Sequence, residues 1–204
     1  NCGICQSEGR LVSSAIAGFK VGQSYDIYEC QGCGASFCDP LEVDFEIYKE
    51  IYRHGETIVG YNRYHAYYRE VKDRVSPLAF LAEQEDCYWF IADYLQKHID
   101  KSQARLLEVG SGLGYLTYAL DKAGYNVQGF ELSSVAVDAA KKQFGDLYQC
   151  KDALTLIDDG NRFDVILLTE VIEHLTAPGE FICQLGKLLN PGRWEERGGG
   201  KEWK

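Results

Sequence analysis

The fold is decided by the stretch Leu106–Leu116, LLEVGSGLGYL, in a chain of 204 residues. An apolar run ending at Glu108 and Val109 leads into a loop with glycines at positions 110, 112 and 114, and an apolar segment follows. A strand that ends in a glycine-rich turn and continues into a helix is how a parallel α/β sheet presents backbone N–H groups to a ligand. The stretch therefore predicts a ligand site at the end of a β-strand.

The spacing of these glycines distinguishes between classes of ligand. A dinucleotide fingerprint has the order G-x-G-x-x-G and needs glycine at position 115, where this chain has Tyr115. The order here is G-x-G-x-G, with the acid Glu108 two positions before Gly110. This argues against a nicotinamide or flavin dinucleotide. Taken by itself, the spacing also fits a turn between strand and helix that binds nothing.

Beyond residue 105, strand patterns alternate with helical ones, which predicts a parallel sheet covered by helices on both faces. FDVILLT, residues 163–169, is almost wholly apolar, as expected of a central strand buried on both faces. The predicted fold class is α/β, with an incomplete Rossmann-like sheet of about four strands. The predicted strands are Arg105–Val109, Asn126–Glu131, Leu147–Cys150 and Phe163–Thr169, and the predicted helices are Tyr115–Ala123, Val135–Phe144 (capped by Ser133 or Ser134) and Pro178–Leu189.

Acidic residues follow three of these strands. Glu131 ends the second strand, Asp152 follows the third and Glu170 follows the fourth. Because the carboxyl ends of neighbouring parallel strands lie side by side, these acids are expected to converge on one crevice. An acid at the end of the second strand accepts hydrogen bonds from both hydroxyls of a ribose, and one after the third strand can accept from an adenine amino group.

Residues 1–40 carry two C-x-x-C pairs, Cys2 with Cys5 and Cys30 with Cys33, separated by a 24-residue spacer. Two such pairs can close a tetrahedral four-cysteine site of the zinc-ribbon type, and the zinc is expected to be structural because four thiolates leave no open coordination position. A redox dithiol and an iron centre are the alternatives. The alternating segment Tyr25–Tyr28 predicts a strand. The other cysteines, Cys38, Cys87, Cys150 and Cys183, are expected to be small buried hydrophobic side chains.

Residues 41–100 form a predicted helical connector that is rich in tyrosine. Tyr48 and Tyr52 fit one helix face, and Tyr61, Tyr64 and Tyr68 fit another. The rings either pack on the main domain or form a lid that covers a bound cofactor and lines an acceptor pocket. The segment Pro77–His98 predicts a single helix, with Ser76 as its cap and Leu78, Leu81, Trp89, Ala92 and Leu95 on its apolar face.

The motifs EVGSGLG, GFELS, KDAL and TEVIEHL resemble those of class I S-adenosylmethionine-dependent methyltransferases over residues 105–192, particularly a bacterial group with E-V-I-E-H-L as its fourth motif. The cysteine pairs and the Tyr-rich connector also look like members of that group that modify sugars and cell-surface polysaccharides. The resemblance implies a small-molecule or sugar acceptor and S-adenosylmethionine as cofactor. The positions it assigns to the cofactor are Glu108, Gly110, Ser111, Gly112, Gly114, Tyr115, Glu131, Leu132, Asp152, Ala153, Thr169 and Glu170.

Methyl transfer from a sulfonium is an in-line displacement, so the protein mainly aligns the reactants and removes a proton where the acceptor must lose one. His174 is the candidate base. Glu170, Glu173 and His174 are spaced i, i+3 and i+4, which predicts that they share one helix face and can tune the histidine or hold a metal ion. In the alternative, Glu173 and His174 cap a helix, pair with other groups and contact only the cofactor.

Other functions stay open beside this one. The small-RNA 3′-terminal 2′-O-methyltransferases have a similar E-x-x-E-H motif that binds a divalent ion, and ubiquinone-type O-methylation is another possibility. A net charge of −10 gives RNA no general attraction, so nucleic acid is not an expected partner. The last alternative is an inactive fragment that acts as an interaction module through its zinc ribbon.

Composition sets the remaining expectations. The chain is 46% hydrophobic, which is typical of a folded protein, and it has neither an apolar run of membrane-spanning length nor a signal-peptide pattern, so a cytoplasmic location is expected. It contains no Met, and residues 193–204 have no helix or strand period, so we expect a truncated reading frame with an irregular tail. The fourth strand would then be an exposed apolar edge. The oligomeric state is not indicated.

Overall fold

A computed structural model describes residues 1–18, 21–41 and 45–191. Within these ranges the chain forms a three-stranded antiparallel sheet, a group of helices and a four-stranded parallel sheet, in that order. The predicted fold class, an α/β protein with a Rossmann-like sheet, is confirmed. The predicted irregular tail at 193–204 lies outside the described residues.

The N-terminal sheet has the order β1-β2-β3, with β1 at Gly9–Ala17, β2 at Ser24–Cys30 and β3 at Ser36–Asp39. The predicted strand at Tyr25–Tyr28 lies inside β2. Gly9 pairs with Cys30, so the end of β2 brings its cysteine beside the start of β1. This sheet therefore places the second cysteine pair close to the chain's first residues.

Four helices follow: α1 at Phe45–His54, α2 at Asn62–Glu70, α3 at Pro77–Ala82 and α4 at Asp86–His98. The predicted single helix from Pro77 to His98 is wrong, because the backbone is extended at Glu85, with φ −144° and ψ 144°. Glu85 accepts a 2.9 Å hydrogen bond from Tyr67 and pairs with Arg63 at 3.1 Å, so contacts outside the segment favour the break.

The break changes the face that α4 buries. Tyr88 and Leu95 are buried with Leu81, whereas Trp89, predicted on the apolar face, is 56% exposed. The Ser76 side chain makes no capping hydrogen bond, while Pro77 does occupy the first turn as predicted.

All strands of the second sheet are parallel and have the order β6-β5-β4-β7. Helices cover both faces: Leu106 packs in a cluster with residues of α4 and α5, while the next residue, Leu107, packs in a cluster with Leu185 and Leu188. The elements are β4 at Arg105–Val109, α5 at Tyr115–Lys122, β5 at Asn126–Glu131, α6 at Ser134–Phe144, β6 at Tyr148–Cys150, β7 at Val165–Leu168 and α7 at Pro178–Gly186. The predicted cap of α6 is confirmed at Ser133, whose side chain accepts a hydrogen bond from Ala136 N.

Strand β7 differs from its prediction as a central strand buried on both faces. Its residues, Val165–Leu168, are half-buried, and β7 pairs only with β4 at one edge of the sheet that the structure describes. Within the described residues β7 is therefore an edge strand, and its apolar side chains are half-buried rather than exposed as predicted. Phe163, just before the strand, is buried and forms a bridge with Leu189.

The prediction that the remaining cysteines are buried is also wrong. Cys87, Cys150 and Cys183 are exposed and Cys38 is only partly buried. Across residues 1–18, 21–41 and 45–191, no helix combines the length and apolar character that crossing a membrane requires.

Candidate functional site

The glycine loop connects β4 to α5, and its three glycines have different packing roles. A Cβ on Gly110 would lie 2.4 Å from Val171 Cγ2, and one on Gly114 would lie 2.6 Å from the Tyr148 ring, so both positions exclude side chains because other segments pack against them. A Cβ on Gly112 would instead lie 3.4 Å from the Tyr52 hydroxyl. Gly112 is therefore the glycine whose open side faces the space beneath α1.

Glu108 lies below the loop and is 2% exposed. Its carboxylate accepts a hydrogen bond from the Thr117 hydroxyl. Burial is the main cause that raises the pKa of Glu108 to about 8, with the charge of Glu131 adding to the rise and the bonds from Thr117 opposing it. The group is therefore mostly protonated at neutral pH, and a cation bound against it would favour the ionised form.

Glu131 joins the glycine loop to the start of α6. Its Oε2 accepts from Gly112 N at 3.0 Å and its Oε1 from Ser133 N at 2.8 Å, and the residue is 8% exposed. The parallel register that aligns Val109 with Phe130 brings the two strand ends to the same edge of the sheet. Glu131 therefore lies at the edge of the sheet where the strand end predicts it.

The residues after β6 form the outer end of the same crevice. Asp152 is exposed, and its Oδ1 accepts from Leu154 N at 2.9 Å, which caps the short 3₁₀ turn Ala153–Ile157. Ala153 is buried and Leu132 is 60% exposed. One carboxylate oxygen of Asp152 is thus already used in a local cap.

The segment after β7 does not form the predicted helix face. Glu170 has a positive φ of 54°, and only Ile172–His174 form a single 3₁₀ turn. Glu170 is exposed overall, but the partial desolvation of its carboxyl, followed by the charge of the neighbouring Glu173, raises its pKa above the usual value. His174 Nε2 lies 3.8 Å from Glu173 Oε1, and the His174 ring meets Tyr48 edge to face with centroids 5.4 Å apart.

Glu170, Glu173 and His174 do not form a compact set of metal ligands. Among the described residues, the cluster of at least three His, Cys, Asp or Glu ligand atoms within 4.8 Å of one another is formed by Cys2, Cys5, Cys30 and Cys33. A metal-holding role for the acids and His174 therefore has no support in this geometry.

Two adjoining cavities occupy the crevice, of about 390 Å³ and about 460 Å³. The first, the loop-side cavity, is lined by Glu108, Ser111, Tyr115, Thr169 and Glu173 among others. The second, the β5-side cavity, is lined by Glu131, Leu132, Asp152 and Ala153 among others. Five residues line both: Tyr48, Tyr52, Gly110, Glu170 and His174.

The tyrosines of the connector both pack on the domain and cover the crevice. The Tyr68 hydroxyl donates to the carbonyl of Ala139 at 3.1 Å, which anchors α2 to α6, whereas Tyr48 and Tyr52 line both cavities. Sequence reasoning missed Tyr88, which lines the loop-side cavity and forms a 2.8 Å hydroxyl–hydroxyl bond with Tyr115. Tyr88 lies seven residues, about two helical turns, from both Leu81 and Leu95. This spacing could have placed Tyr88 on the same buried face as the two leucines.

The cysteine pairs come together as predicted. Cys2 Sγ lies 3.7 Å from Cys33 Sγ, and Cys5 Sγ lies 3.3 Å from Cys30 Sγ. Backbone N–H groups of Ile4 and Gly32 point at the sulfurs of Cys2 and Cys30 at 3.4 Å and 3.3 Å. Four sulfurs bound to one zinc ion at about 2.3 Å would lie about 3.8 Å apart, so the residues fit such an ion.

The first cysteine knuckle also touches the segment that carries His174. A Cβ on Gly3 would lie 3.0 Å from the Thr176 carbonyl oxygen and 3.7 Å from Pro178 Cδ. The absence of a side chain at Gly3 therefore permits the knuckle to pack against the loop before α7.

Comparison with known proteins identifies a family model and several relatives. The family described as "Methyltransferase domain" matches residues 69–196. The ubiquinone biosynthesis O-methyltransferase of Coxiella burnetii (strain RSA 493 / Nine Mile phase I) is 36% identical over 104 residues, which are 48% of this chain and 44% of the relative. That of Caulobacter vibrioides is 37% identical over 93 residues, 43% of this chain and 37% of the relative. The chain thus spans less than half the length of these curated relatives.

Solved structures are also similar to this chain. The plantazolicin methyltransferase BpumL in complex with SAH is 19% identical, with a TM-score of 0.44, and the match covers 71% of this chain and 55% of that one. Magnesium protoporphyrin IX methyltransferase from Synechocystis PCC 6803 with bound SAM is 19% identical, with a TM-score of 0.43, and the match covers 70% of this chain and 72% of that one.

Proposed function

This chain belongs to the methyltransferase-domain family, and from that premise we propose that it transfers a methyl group from S-adenosylmethionine to a small-molecule or sugar acceptor. The observation that carries the proposal is the position of Glu131. Its buried carboxylate lies between the glycine loop and α6, facing a crevice at the carboxyl ends of parallel strands, where such sheets bind nucleotide ligands.

The proposed cofactor site uses both cavities. The loop-side cavity would take the methionine end, with Glu108 facing its ammonium group, and the β5-side cavity would take the adenosine end, with Glu131 at the ribose and Asp152 at the adenine. The open side of Gly112 supports this fit, since a side chain there would fill the space below α1. The full set is Glu108, Gly110, Ser111, Gly112, Gly114, Tyr115, Glu131, Leu132, Asp152, Ala153, Thr169 and Glu170.

The bound cofactor would supply a methyl group activated on a sulfonium. The residues common to both cavities mark the place where the two ends of the cofactor would meet, and His174 is one of them. A neutral imidazole there can accept a proton from an acceptor hydroxyl or amine. Glu170 and Glu173 beside it would stabilise the imidazolium that forms, and the tyrosines above would exclude water.

A second, narrower candidate is O-methylation of the kind named for the relatives, ubiquinone biosynthesis O-methyltransferases. It is favoured by the identity of 36% and 37% over the matched segment. Assistance by a metal ion at Glu170, Glu173 and His174 is not part of this proposal, because these side chains do not form a ligand cluster.

For the N-terminal residues we propose a structural zinc ion held by Cys2, Cys5, Cys30 and Cys33. We also propose that residues 1–40 form a zinc ribbon, 41–100 a connector and lid, and 101–192 the N-terminal part of the methyltransferase domain. Metal analysis of protein purified under reducing conditions should find about one zinc ion per chain. Protein that folds without zinc would overturn this part of the proposal.

Titration calorimetry with S-adenosylmethionine and S-adenosylhomocysteine tests the main proposal. We expect both to bind one site per chain. If neither binds while circular dichroism shows an intact fold, the enzyme proposal fails, and an interaction module built on the ribbon becomes the better explanation.

A further inference from the structure

His65, on α2, is a buried histidine that the proposed function does not use. It is 6% exposed and lines the loop-side cavity together with residues of α1, the glycine loop and the segment after β7. It lies outside residues 69–196, which match the methyltransferase family, so that match assigns it no role. An imidazole in a cavity wall can gain or lose a proton near neutral pH, which makes His65 a group that chemistry in the cavity can use.

One ring nitrogen of His65 is occupied by the backbone. Its Nε2 lies 3.0 Å from the carbonyl oxygen of Ile51, in the last turn of α1. A carbonyl oxygen only accepts hydrogen bonds, so Nε2 carries the proton and donates it to this bond. The bond made by one ring nitrogen fixes the tautomer, and the neutral ring therefore has its lone pair on Nδ1.

Gly55 sets the position of the His65 ring. A Cβ on Gly55 would lie 2.5 Å from His65 Nε2 and 2.8 Å from its Cδ2, so this edge of the ring packs against the backbone that follows α1. Nδ1 is not among the three ring atoms nearest to Gly55. This packing leaves Nδ1 as the polar atom that His65 offers to the loop-side cavity.

His174 lines the same cavity, but its ring is placed differently. Its Nε2 lies 3.8 Å from Glu173 Oε1, which is beyond hydrogen-bond distance, and its side chain is 37% exposed. The ring of His65 is instead buried and has its tautomer set by a backbone carbonyl. The two histidines therefore differ in how well the proton-accepting atom is defined before a ligand binds.

We propose that His65 is a second proton-accepting residue of the site, and that its Nδ1 accepts the proton of an acceptor hydroxyl bound between α2 and the cofactor. This inference rests on the proposed function, because it takes the methionine end of the cofactor to lie against the glycine loop. The residues of α2 that line the loop-side cavity are then left for the acceptor.

The proton transfer at Nδ1 accompanies methyl transfer to the acceptor oxygen. The acceptor O–H bond breaks, its proton moves to Nδ1, and the electron pair left on oxygen forms the bond to the methyl carbon. The bond between that carbon and sulfur breaks, and its electron pair stays on the sulfur. The imidazolium of His65 keeps its Nε2–H bond to the Ile51 carbonyl and afterwards releases the Nδ1 proton to water.

The tautomer of His65 is tested on the parent chain. A long-range ¹H–¹⁵N spectrum distinguishes protonated from unprotonated ring nitrogens, and the signals missing in His65→Gln assign the residue. We expect a neutral ring protonated at Nε2, whose Nδ1 signal shifts when 4-nitrophenol is added to protein saturated with S-adenosylhomocysteine. A neutral ring protonated at Nδ1, or an Nδ1 signal that the phenol leaves in place, would overturn the inference.

4-Nitrophenol also reports the proton transfer itself, because its anion absorbs at longer wavelength than the neutral phenol. At a pH below the phenol's own pKa, the parent saturated with S-adenosylhomocysteine should show the anion band for bound 4-nitrophenol. His65→Gln should lose this band, because glutamine keeps an amide N–H for the Ile51 carbonyl but has no atom that takes up the proton. Equal anion bands in the two proteins would contradict the role of Nδ1.

Two further histidine variants complete the comparison. His54→Gln is the matched control, since His54 is exposed and lines neither cavity, and it should leave the anion band unchanged. A band that is lost in His174→Gln and retained in His65→Gln would assign the proton to His174 alone and overturn the inference. If circular dichroism shows that His65→Gln is unfolded, the tautomer and the Nδ1 shift of the parent, assigned by the ring signals that remain in His54→Gln and His174→Gln, decide the question.

The results separate this inference from the proposed function. If the parent chain binds neither S-adenosylmethionine nor S-adenosylhomocysteine, both are overturned. If the parent binds S-adenosylhomocysteine but 4-nitrophenol produces neither the Nδ1 shift nor the anion band, this inference alone is overturned and the proposed function stands.

Discussion

Glu131 and Glu170 follow the two strands that flank β4, yet the chain holds them in different ways. Glu131 is buried and accepts hydrogen bonds from two backbone N–H groups. Glu170 is exposed, has a positive φ, and is followed by a single 3₁₀ turn. The first acid is fixed by secondary structure on both sides. The segment that follows the second acid meets distant parts of the chain, with Tyr48 against the His174 ring and Gly3 close to the Thr176 carbonyl. In this crevice the Glu131 end is therefore held by contacts with its neighbouring strand end and helix start, and the end that carries His174 meets distant parts of the chain.

The largest expected effect concerns Glu108, which lies on β4 between the two strands just compared. Its folded-state pKa of about 8 lies above the unfolded value, so the stabilising contribution of the protonated form is complete below pH 4.5 and is lost as the pH rises through 8. Urea denaturation at pH 5, 7 and 9 should show the parent losing roughly a few kcal/mol of unfolding free energy relative to Glu108→Gln. Glu180→Gln, an exposed acid on α7, is the control. Parallel pH profiles for the parent and Glu108→Gln would contradict the buried-acid description.

The difference between Glu131 and Glu170 is tested by replacing each glutamate with glutamine. Glu131→Gln should weaken S-adenosylhomocysteine binding about 10-fold to 100-fold, because a charged acceptor of several hydrogen bonds is lost. Glu170→Gln should weaken it by about threefold at most, since that side chain is exposed to water. Calorimetry measures both. Equal losses would remove the distinction drawn between the two strand ends.

A smaller effect is expected at Gly112. Gly112→Ala introduces a Cβ at φ +50°, which costs about 1–2 kcal/mol in a left-handed conformation, and the methyl group enters the space below Tyr52. Gly160→Ala has a similar strain, at φ +68°, but nothing lies within 4 Å of its Cβ. Both variants should lose similar stability in thermal melts, and only Gly112→Ala should also lose cofactor affinity. A matching loss of affinity in Gly160→Ala would attribute the effect to strain alone.

The smallest expected effect concerns Gly3 and its contact with the loop that follows His174. Gly3→Ala pushes a Cβ to 3.0 Å from the Thr176 carbonyl, so the loop before α7 must shift by a few tenths of an ångström, at a cost of about 1 kcal/mol. We expect a change in the His174 ring resonances in a ¹H–¹³C spectrum and no change in the S-adenosylhomocysteine dissociation constant. Gly179→Ala, whose Cβ meets nothing within 4 Å, should leave those resonances in place. Unperturbed His174 signals in Gly3→Ala would show that the knuckle does not position the loop.

The parts of the fold that follow from local pattern were predictable. The parallel strands, the glycine loop and the Ser133 cap each depend on residues that are adjacent in sequence, so their apolar runs and turn residues identify them. The break at Glu85 was not predictable, because it is favoured by bonds to Tyr67 and Arg63 from another helix.

The same distinction applies to the candidate site. The position of Glu131 follows from a strand end, whereas the spacing of Glu170, Glu173 and His174 predicted a helix face that does not form, since Glu170 adopts a left-handed conformation. The approach of the Tyr52 hydroxyl to Gly112 joins segments far apart in the chain, and no periodicity in either segment reveals it.

The contact of Gly3 with Thr176 and Pro178 has a practical consequence for enzymology on this protein. A preparation in which some molecules have lost the ion proposed for the four cysteines would contain two populations of the loop that carries His174. The turnover rate measured on such a mixture would vary with its metal content, and that variation could be mistaken for a change in the activity of the site. Kinetic comparisons among variants should therefore be normalised to the metal stoichiometry of each batch, including variants whose substitutions lie far from the cysteines.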